Sequence, residues 1–274
     1  MKTRIGDFER YGTKKTTDGM MFTFALSTEE DCAICLYDRK NKTLIEEIAL
    51  PEAYRIGQVY SVELIGSKWE RYCYRIRQGK QLFVDPYARS IAGREVWNDT
   101  MRFGQDDGCY GAFDVTYELP AQRGRWIKAQ DMVMYKLHMR GFTMQHGFKN
   151  SEKGTDAGIL AGLSYLQKLG ITSLEFQPFY EFEEVFYEKS QNIDENGDSL
   201  VTCVPQEKTN YWGYGDAYYF APKASYFGGV QAPQRCRTMI KKIHEAGMEV
   251  IMEIAFSAET SQELMMDCLW YWVS

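Results

Sequence analysis

Met248-Glu-Val-Ile-Met-Glu-Ile-Ala-Phe256 is nearly continuous in apolar residues. A half-exposed strand alternates polar with apolar side chains, whereas a parallel strand covered on both faces does not. The run therefore predicts a buried parallel strand, and helices flank it. On its N-terminal side Pro233 opens a helix with Cys236, Met239, Ile240 and Ile243 turned inward and Gly247 at its end. On its C-terminal side Thr260-x-x-Glu263 is a capping box that opens the last helix.

The same alternation extends backwards. Ser173-Leu-Glu-Phe-Gln-Pro178 and Asp131-Met-Val-Met-Tyr-Lys-Leu137 read as strands. Between them Ile159, Leu160, Leu163, Leu166 and Leu169 share one helical face, and Gly170 can cap its C-terminus. Residues from about 180 to 230 read as a long loop. Strands alternating with helices mean βα units. Three in succession are the opening of a (β/α)8 TIM barrel, whose chemistry sits on the loops after its strands. The succession stops at Ser274, one helix past the third strand, so an incomplete barrel is expected. Three strands cannot close, and an open apolar edge invites aggregation or a second chain to cover it.

The first part of the chain has a different rhythm. Met21-Phe-Thr-Phe-Ala25, Ala33-Ile-Cys-Leu-Tyr37, Val59-Tyr-Ser-Val-Glu-Leu64 and Arg71-Tyr-Cys-Tyr-Arg-Ile76 are short strands separated by turn residues. Such a pattern predicts an immunoglobulin-like β-sandwich. The expected organisation is a β-sandwich over residues 1–115, a linker over 116–130 around Pro120-Ala-Gln-Arg-Gly-Arg125, and a partial barrel over 131–274.

Of the 274 residues 45% are hydrophobic, enough for a sizeable core, and the net charge is −6. An acidic balance argues against nucleic acid or an anionic membrane as the main partner. Neither a signal-type apolar run near Met1 nor a stretch of ~18 apolar residues is present, so a cytoplasmic location is expected. Seven scattered cysteines fit reduced thiols better than a disulfide framework. Cys32 and Cys35 fall in a strand, where a spacing of three places them on opposite faces.

Taken in order, several pieces resemble the α-amylase superfamily, glycoside hydrolase family 13, nearest to pullulanases and glycogen-debranching enzymes. They are Tyr135-Lys-Leu-His-Met-Arg-Gly-Phe-Thr143, Lys153-Gly-Thr-Asp-Ala-Gly-Ile159, Leu169-Gly-Ile-Thr-Ser-Leu-Glu-Phe-Gln-Pro178, Asn210-Tyr-Trp-Gly-Tyr214, Tyr219-Phe-Ala-Pro-Lys-Ala-Ser-Tyr226 and His244-Glu-Ala-Gly-Met-Glu-Val-Ile-Met252. The N-terminal part is similar to carbohydrate-binding module family 48, which Val84-Asp-Pro-Tyr-Ala-Arg89 would close. The resemblance covers nearly the whole chain but only the front of the family's length. It implies an α-glucan such as glycogen, starch or pullulan as partner, and no cofactor.

Retaining glycoside hydrolysis needs two carboxyl groups ~5 Å apart. The resemblance places the nucleophile, the acid and a supporting Asp on strands 4, 5 and 7, so this chain is expected to carry no catalytic residue and to be inactive alone. It also implies substrate-binding positions at Tyr214, Trp212, Asn210 and His138, with Tyr214 stacking on a sugar ring. Beside that stand plainer roles: loop packing for Tyr211, Trp212 and Tyr214, and an oriented core histidine for His138. The chain departs from the family's third-strand pattern at Glu253, Ser257 and Ala258, where Asp, Asn and His are usual. Alanine cannot donate to a sugar. A non-catalytic glucan-binding protein is therefore the alternative.

Glu175 and Glu253 read as strand carboxylates paired with neighbours, and Glu181, Glu183 and Glu184 as a solvated loop. Trp69, Tyr72 and Tyr74 offer either a glucan-stacking face or core, and Tyr60 stands where related modules often place Trp. Asp194-Glu-Asn-Gly-Asp198 lacks the Gly and Glu of a calcium loop and reads as a flexible acidic loop, so no metal is expected. His146 and His244 read as loop and helix-surface residues.

Overall fold

A computed structural model describes residues 1–26, 30–104, 106–115, 124, 126–144, 147–193 and 199–274. Most of the segment 120–125, His146 and the acidic run 194–198 lie outside the described residues. The chain divides into two compact units, Met1–Gly93 with Cys109–Thr116, and Arg94–Gly108 with Tyr117–Ser274.

The first unit is made of strands: β1 Lys2–Ile5, β2 Gly12–Lys15, β3 Gly19–Ala25, β4 Cys32–Asp38, β5 Leu44–Ala49, β6 Arg55–Ile56, β7 Val59–Ile65, β8 Tyr72–Gln78, β9 Gln81–Phe83, β10 Ser90–Ala92 and β11 Tyr110–Ala112. They form two antiparallel sheets, one ordered β1-β7-β3-β2 and the other β10-β11-β8-β4-β5. Met20, Phe22, Phe24, Val62 and Leu64 of the first sheet share one core with Ile34, Leu36, Tyr74 and Ile76 of the second. Period-two alternation explains how Cys32 joins that core while Cys35 turns to the other face with Tyr37, Cys73 and Tyr110.

Of the two readings of the aromatics Trp69, Tyr72 and Tyr74, the structure bears out core. Trp69 and Tyr74 are 4% and 0% exposed and belong to the core, against which Tyr72 packs, so the three do not form an outer stacking face. Tyr60 is buried too. Equal spacing puts aromatics on one face but does not say which way it points. The Val84–Arg89 phrase gains a structural purpose. Buried Asp85 accepts the Tyr74 hydroxyl at 3.0 Å and the Tyr87 N–H at 2.9 Å.

The second unit carries β12 Met134–Leu137, α1 Met139–Thr143, α2 Asp156–Lys168, β13 Ser173–Phe176, β14 Tyr180–Phe182, β15 Val185–Ile193, β16 Ser199–Thr209, β17 Ala217–Pro222, α3 Ala232–Glu245, β18 Glu249–Met252 and α4 Gln262–Val273. β12, β13 and β18 are parallel neighbours in that order, with α2 and α3 in the connections. No closed barrel is found among the described residues. α3 buries Cys236, Met239 and Ile243, as its spacing predicts. On α2, Ile159 and Leu166 are buried, while Leu169, just past its end, is 50% exposed.

The expected long loop after β13 contains structure. β14 pairs with β17, and β15 with β16 forms a long antiparallel ribbon. α4 starts one residue later than the capping box predicts. Ser261 is the cap and accepts the Leu264 N–H at 3.2 Å, while the Thr260 hydroxyl pairs with Ser257 at 3.2 Å. No described helix is long and apolar enough to cross a membrane.

Candidate functional site

The site lies past the C-terminal ends of the three parallel strands. Register pairs Lys136 with Glu175 and Glu175 with Ile251, and Glu253 shares the face of Ile251 by period two. One lysine thus faces two acids from neighbouring strands. Lys136 Nζ lies 3.3 Å from Glu175 and 2.7 Å from Glu253. The lysine's hydrogen bond holds the Glu253 carboxyl below the usual range against its partial burial, and the Tyr214 hydroxyl adds to this.

Tyr214 donates its hydroxyl to Glu253 Oε1 at 3.0 Å, and its ring is 43% exposed. The loop that presents it is built by Asn210. The Asn210 side chain donates to the carbonyls of Glu183 (3.2 Å) and Tyr214 (2.9 Å) and accepts the Gly213 N–H at 3.1 Å. Gly213 has φ +82°, and a Cβ there would lie 2.5 Å from the Phe182 ring, so glycine is required. Asn210 therefore shapes the platform with both ends of its amide. Trp212 is 51% exposed and sits edge-on to the rings of Tyr211 and His138.

His138 takes the plainer role, that of an oriented core histidine. It ends β12, caps α1 and is 5% exposed. Its Nδ1 accepts the Gly141 N–H at 2.9 Å, which leaves the proton on Nε2, 3.3 Å from the Tyr226 hydroxyl. Its ring stacks on Tyr211 at 4.5 Å. Burial pushes its pKa down to about 4, so the imidazole is neutral at pH 7. It fixes Tyr211 and the start of α1 and does not reach solvent.

Beneath the loop lies a charge cluster. Glu181, Glu184 and Lys223 are all fully buried, with Lys223 Nζ 3.1 Å from Glu181 and 2.7 Å from Glu184. Lys223 also donates to the Phe182 carbonyl at 2.9 Å and lies over the Phe182 ring at 4.1 Å. Glu183 pairs with Arg94 at 2.9 Å and with Arg102, and Arg94 lies 3.9 Å from Glu181. Burial raises the Glu181 carboxyl, only partly offset by Lys223 and Arg94. At Glu184 the charge and hydrogen bond of Lys223 outweigh burial and hold the carboxyl low. The expected solvated loop is thus a set of three acids balanced by three cations. Lysine inside the apolar run Tyr219-Phe-Ala-Pro-Lys-Ala224 was the available signal, because a buried ammonium demands acid partners.

The end of the third parallel strand is held by tyrosines. The Tyr180 hydroxyl accepts the Ala255 N–H at 3.2 Å, and the Tyr219 hydroxyl accepts the Ser257 N–H at 2.8 Å. Ala258 is exposed and offers only a methyl group. Among the described residues no group of three or more His, Cys, Asp or Glu is placed to hold a metal ion.

No protein-family model matches the chain. Among curated proteins it is 28% identical to isoamylase 1, chloroplastic, of Arabidopsis thaliana over 278 residues, covering 90% of this chain and 34% of that protein. It is 29% identical to the glycogen debranching enzyme of Yersinia enterocolitica, covering 87% of this chain and 38% of that one. Among solved structures, the pullulanase from Bacillus acidopullulyticus matches with a TM-score of 0.70 at 18% identity, over 96% of this chain and 36% of that one. Apo pullulanase from Paenibacillus barengoltzii matches at 0.63 and 20% identity, over 90% and 37%. The homologues are isoamylases and glycogen debranching enzymes, and the structural neighbours are pullulanases. The chain spans about a third of the length of the curated relatives it matches.

Proposed function

We propose that this chain is the front portion of a debranching-type α-glucan hydrolase. In this reading the first unit is an immunoglobulin-like sandwich of the family 48 binding-module type, and the second supplies the first three βα units of an amylase-type barrel. The carboxylates that cleave the glycosidic bond belong to strands beyond those three, so the chain binds glucan through the Tyr214 loop and does not cleave it. Tyr214 carries the proposal. Its ring is exposed at the C-terminal end of the parallel strands, where barrel chemistry sits. Glu253 and Asn210 hold it before any ligand arrives. An aromatic face so held suits the C–H surface of a sugar ring.

Electrophoresis of the 274-residue chain through gels containing glycogen tests binding. Retardation that Tyr214→Ala abolishes is expected, and unchanged migration of the parent chain would sink the proposal. Reducing-sugar release from pullulan or glycogen should stay at background, and robust turnover would overturn the claim of inactivity. A stand-alone glucan-binding protein is the second reading. Exposed Ala258, where the resemblance implies a sugar-binding His, favours it. A second chain covering the open edge of the parallel sheet belongs to either reading and would show as a dimer in solution.

A further inference from the structure

We propose that Asn98 is a positioning residue for the Tyr214 platform and acts on it through Thr209 and Glu184. The proposal rests on the glucan-binding role given to Tyr214 above and adds a residue that touches no ligand itself. Asn98 lies in the stretch Arg94–Gly108, which belongs to the second unit.

The backbone is the first sign. Asn98 sits at φ +58°, in the left-handed region that favours glycine and that asparagine enters because its short side chain can hydrogen-bond locally. The usual partner is the residue's own backbone two residues on. Asn98 does otherwise. Its N–H donates to Glu184 Oε1 at 3.1 Å, 86 residues away, and its Oδ1 accepts the Thr209 hydroxyl at 3.1 Å, 111 residues away. Backbone outliers persist where the surroundings over-determine them, often at functional sites. Asn98 is exposed, so two long-range bonds, not burial, fix its conformation.

Both bonds close on the base of the platform. Thr209 ends β16 and pairs with Val185, and the ladder is irregular between Val185 and Tyr187. An irregular register disrupts the ladder locally, so the ribbon alone holds Thr209 weakly. The next residue, Asn210, donates its N–H to the Glu184 carbonyl at 2.8 Å. Asn98 therefore grips both sides of that bond, Thr209 by its hydroxyl and Glu184 by its carboxylate. One residue earlier, Trp97 stacks on Tyr226 at 5.5 Å and meets Tyr211 edge-on at 6.1 Å. Consecutive residues thus hold the two neighbours of Asn210, whose amide shapes the turn from Gly213 to Tyr214. Loosening Thr209 should let Asn210 drift and carry the Tyr214 ring with it.

Asn98→Gly isolates the side chain, because glycine keeps the left-handed backbone and the N–H to Glu184 and loses only the acceptor for Thr209. In the full 274-residue chain, amide hydrogen exchange at Asn210 and Gly213 should quicken about threefold while exchange in β13 stays unchanged. Glycogen affinity, read from retardation at several glycogen concentrations, should fall about threefold, the size of one modest hydrogen bond. Asn98→Asp restores an acceptor and should recover both. Thr209→Val should match Asn98→Gly, and the pair together should lose no more than either alone. Unchanged exchange at Asn210 and Gly213, full affinity despite quickened exchange, no recovery in Asn98→Asp, or additive losses would each overturn the proposal. A parent chain that binds no glycogen would end the role given to Tyr214, and exchange alone would then decide. Quickening that Asn98→Asp reverses would keep Asn98 as the anchor of the loop, and no quickening would remove it.

Discussion

Lys223 and Glu184 meet at 2.7 Å with neither side chain reaching solvent. Removing one member of such a group leaves an uncompensated buried charge. Lys223→Met should therefore destabilise the chain by roughly 3–5 kcal/mol. Denaturant unfolding checks this, and a change within about 0.5 kcal/mol, as for an ordinary surface substitution, would refute it.

Glu253 is predicted to act on ligands only through Tyr214. Glu253→Gln keeps an acceptor for the Tyr214 hydroxyl but loses the charge that Lys136 pairs with. Glycogen retardation should fall less than in Tyr214→Ala, and Tyr214→Phe, which keeps the ring but loses the hydrogen bond that Glu253→Gln retains, should fall between the two. Because the Glu253 carboxyl is held below its ordinary value of 4.5, its charge and the ion pair with Lys136 are intact above pH ~4.5 and lost as pH falls through the lowered value. Equal retardation on the two sides of that titration, located by the Glu253 carboxyl NMR signal, would contradict it.

His138 predicts a slope of its own. Its folded pKa of about 4 lies below its ordinary 6.5. The unfolded chain therefore takes up a proton first on acidification. The stability from neutral His138 is complete above pH 6.5 and declines as pH falls towards 4. His138→Asn, which keeps a capping acceptor, should be less stable but lack this decline. An imidazole NMR signal for His138 that titrates near pH 6.5 would dismiss the account.

Asp85 leans the other way. Burial raises its carboxyl to about 6 from 3.8. The folded chain now holds its proton longer than the unfolded chain. Its contribution to stability is thus greatest below pH ~3.8 and falls, by on the order of 2–3 kcal/mol, as pH rises through 6. Asp85→Asn should remove that fall while still accepting from Tyr74. Parallel stability curves for the two proteins between pH 4 and 7 would refute this.

Much of the scaffold was legible because its elements have one clean period. β3, β4, β7 and β8 alternate around a shared core, and α3 repeats Cys236, Met239 and Ile243 at helical spacing. β18 was read too long. Past Glu253, whose N–H still reaches the Phe176 carbonyl, the backbone donates to the hydroxyls of Tyr180 and Tyr219 instead, a tertiary effect with no local mark. The β15–β16 ribbon escaped because its sequence, with Glu188, Lys189, Gln206 and Lys208, lacks the alternation of a strand with one buried face. Tyr214 was legible from its motif. Its bond to Glu253 was not, because the partners lie 39 residues apart.

The chain leaves the first unit after Gly93, returns at Cys109 and leaves again after Thr116. Arg94 and Arg102, which neutralise Glu183, are thus encoded upstream of the strand that finishes the first unit. A single genetic crossover near residue 116 would carry both arginines away with the wrong partner and strand the acids among foreign cations. Inheritance of the two units should therefore be linked. Hybrids joined at that point would be viable only when the donor brings matching arginines.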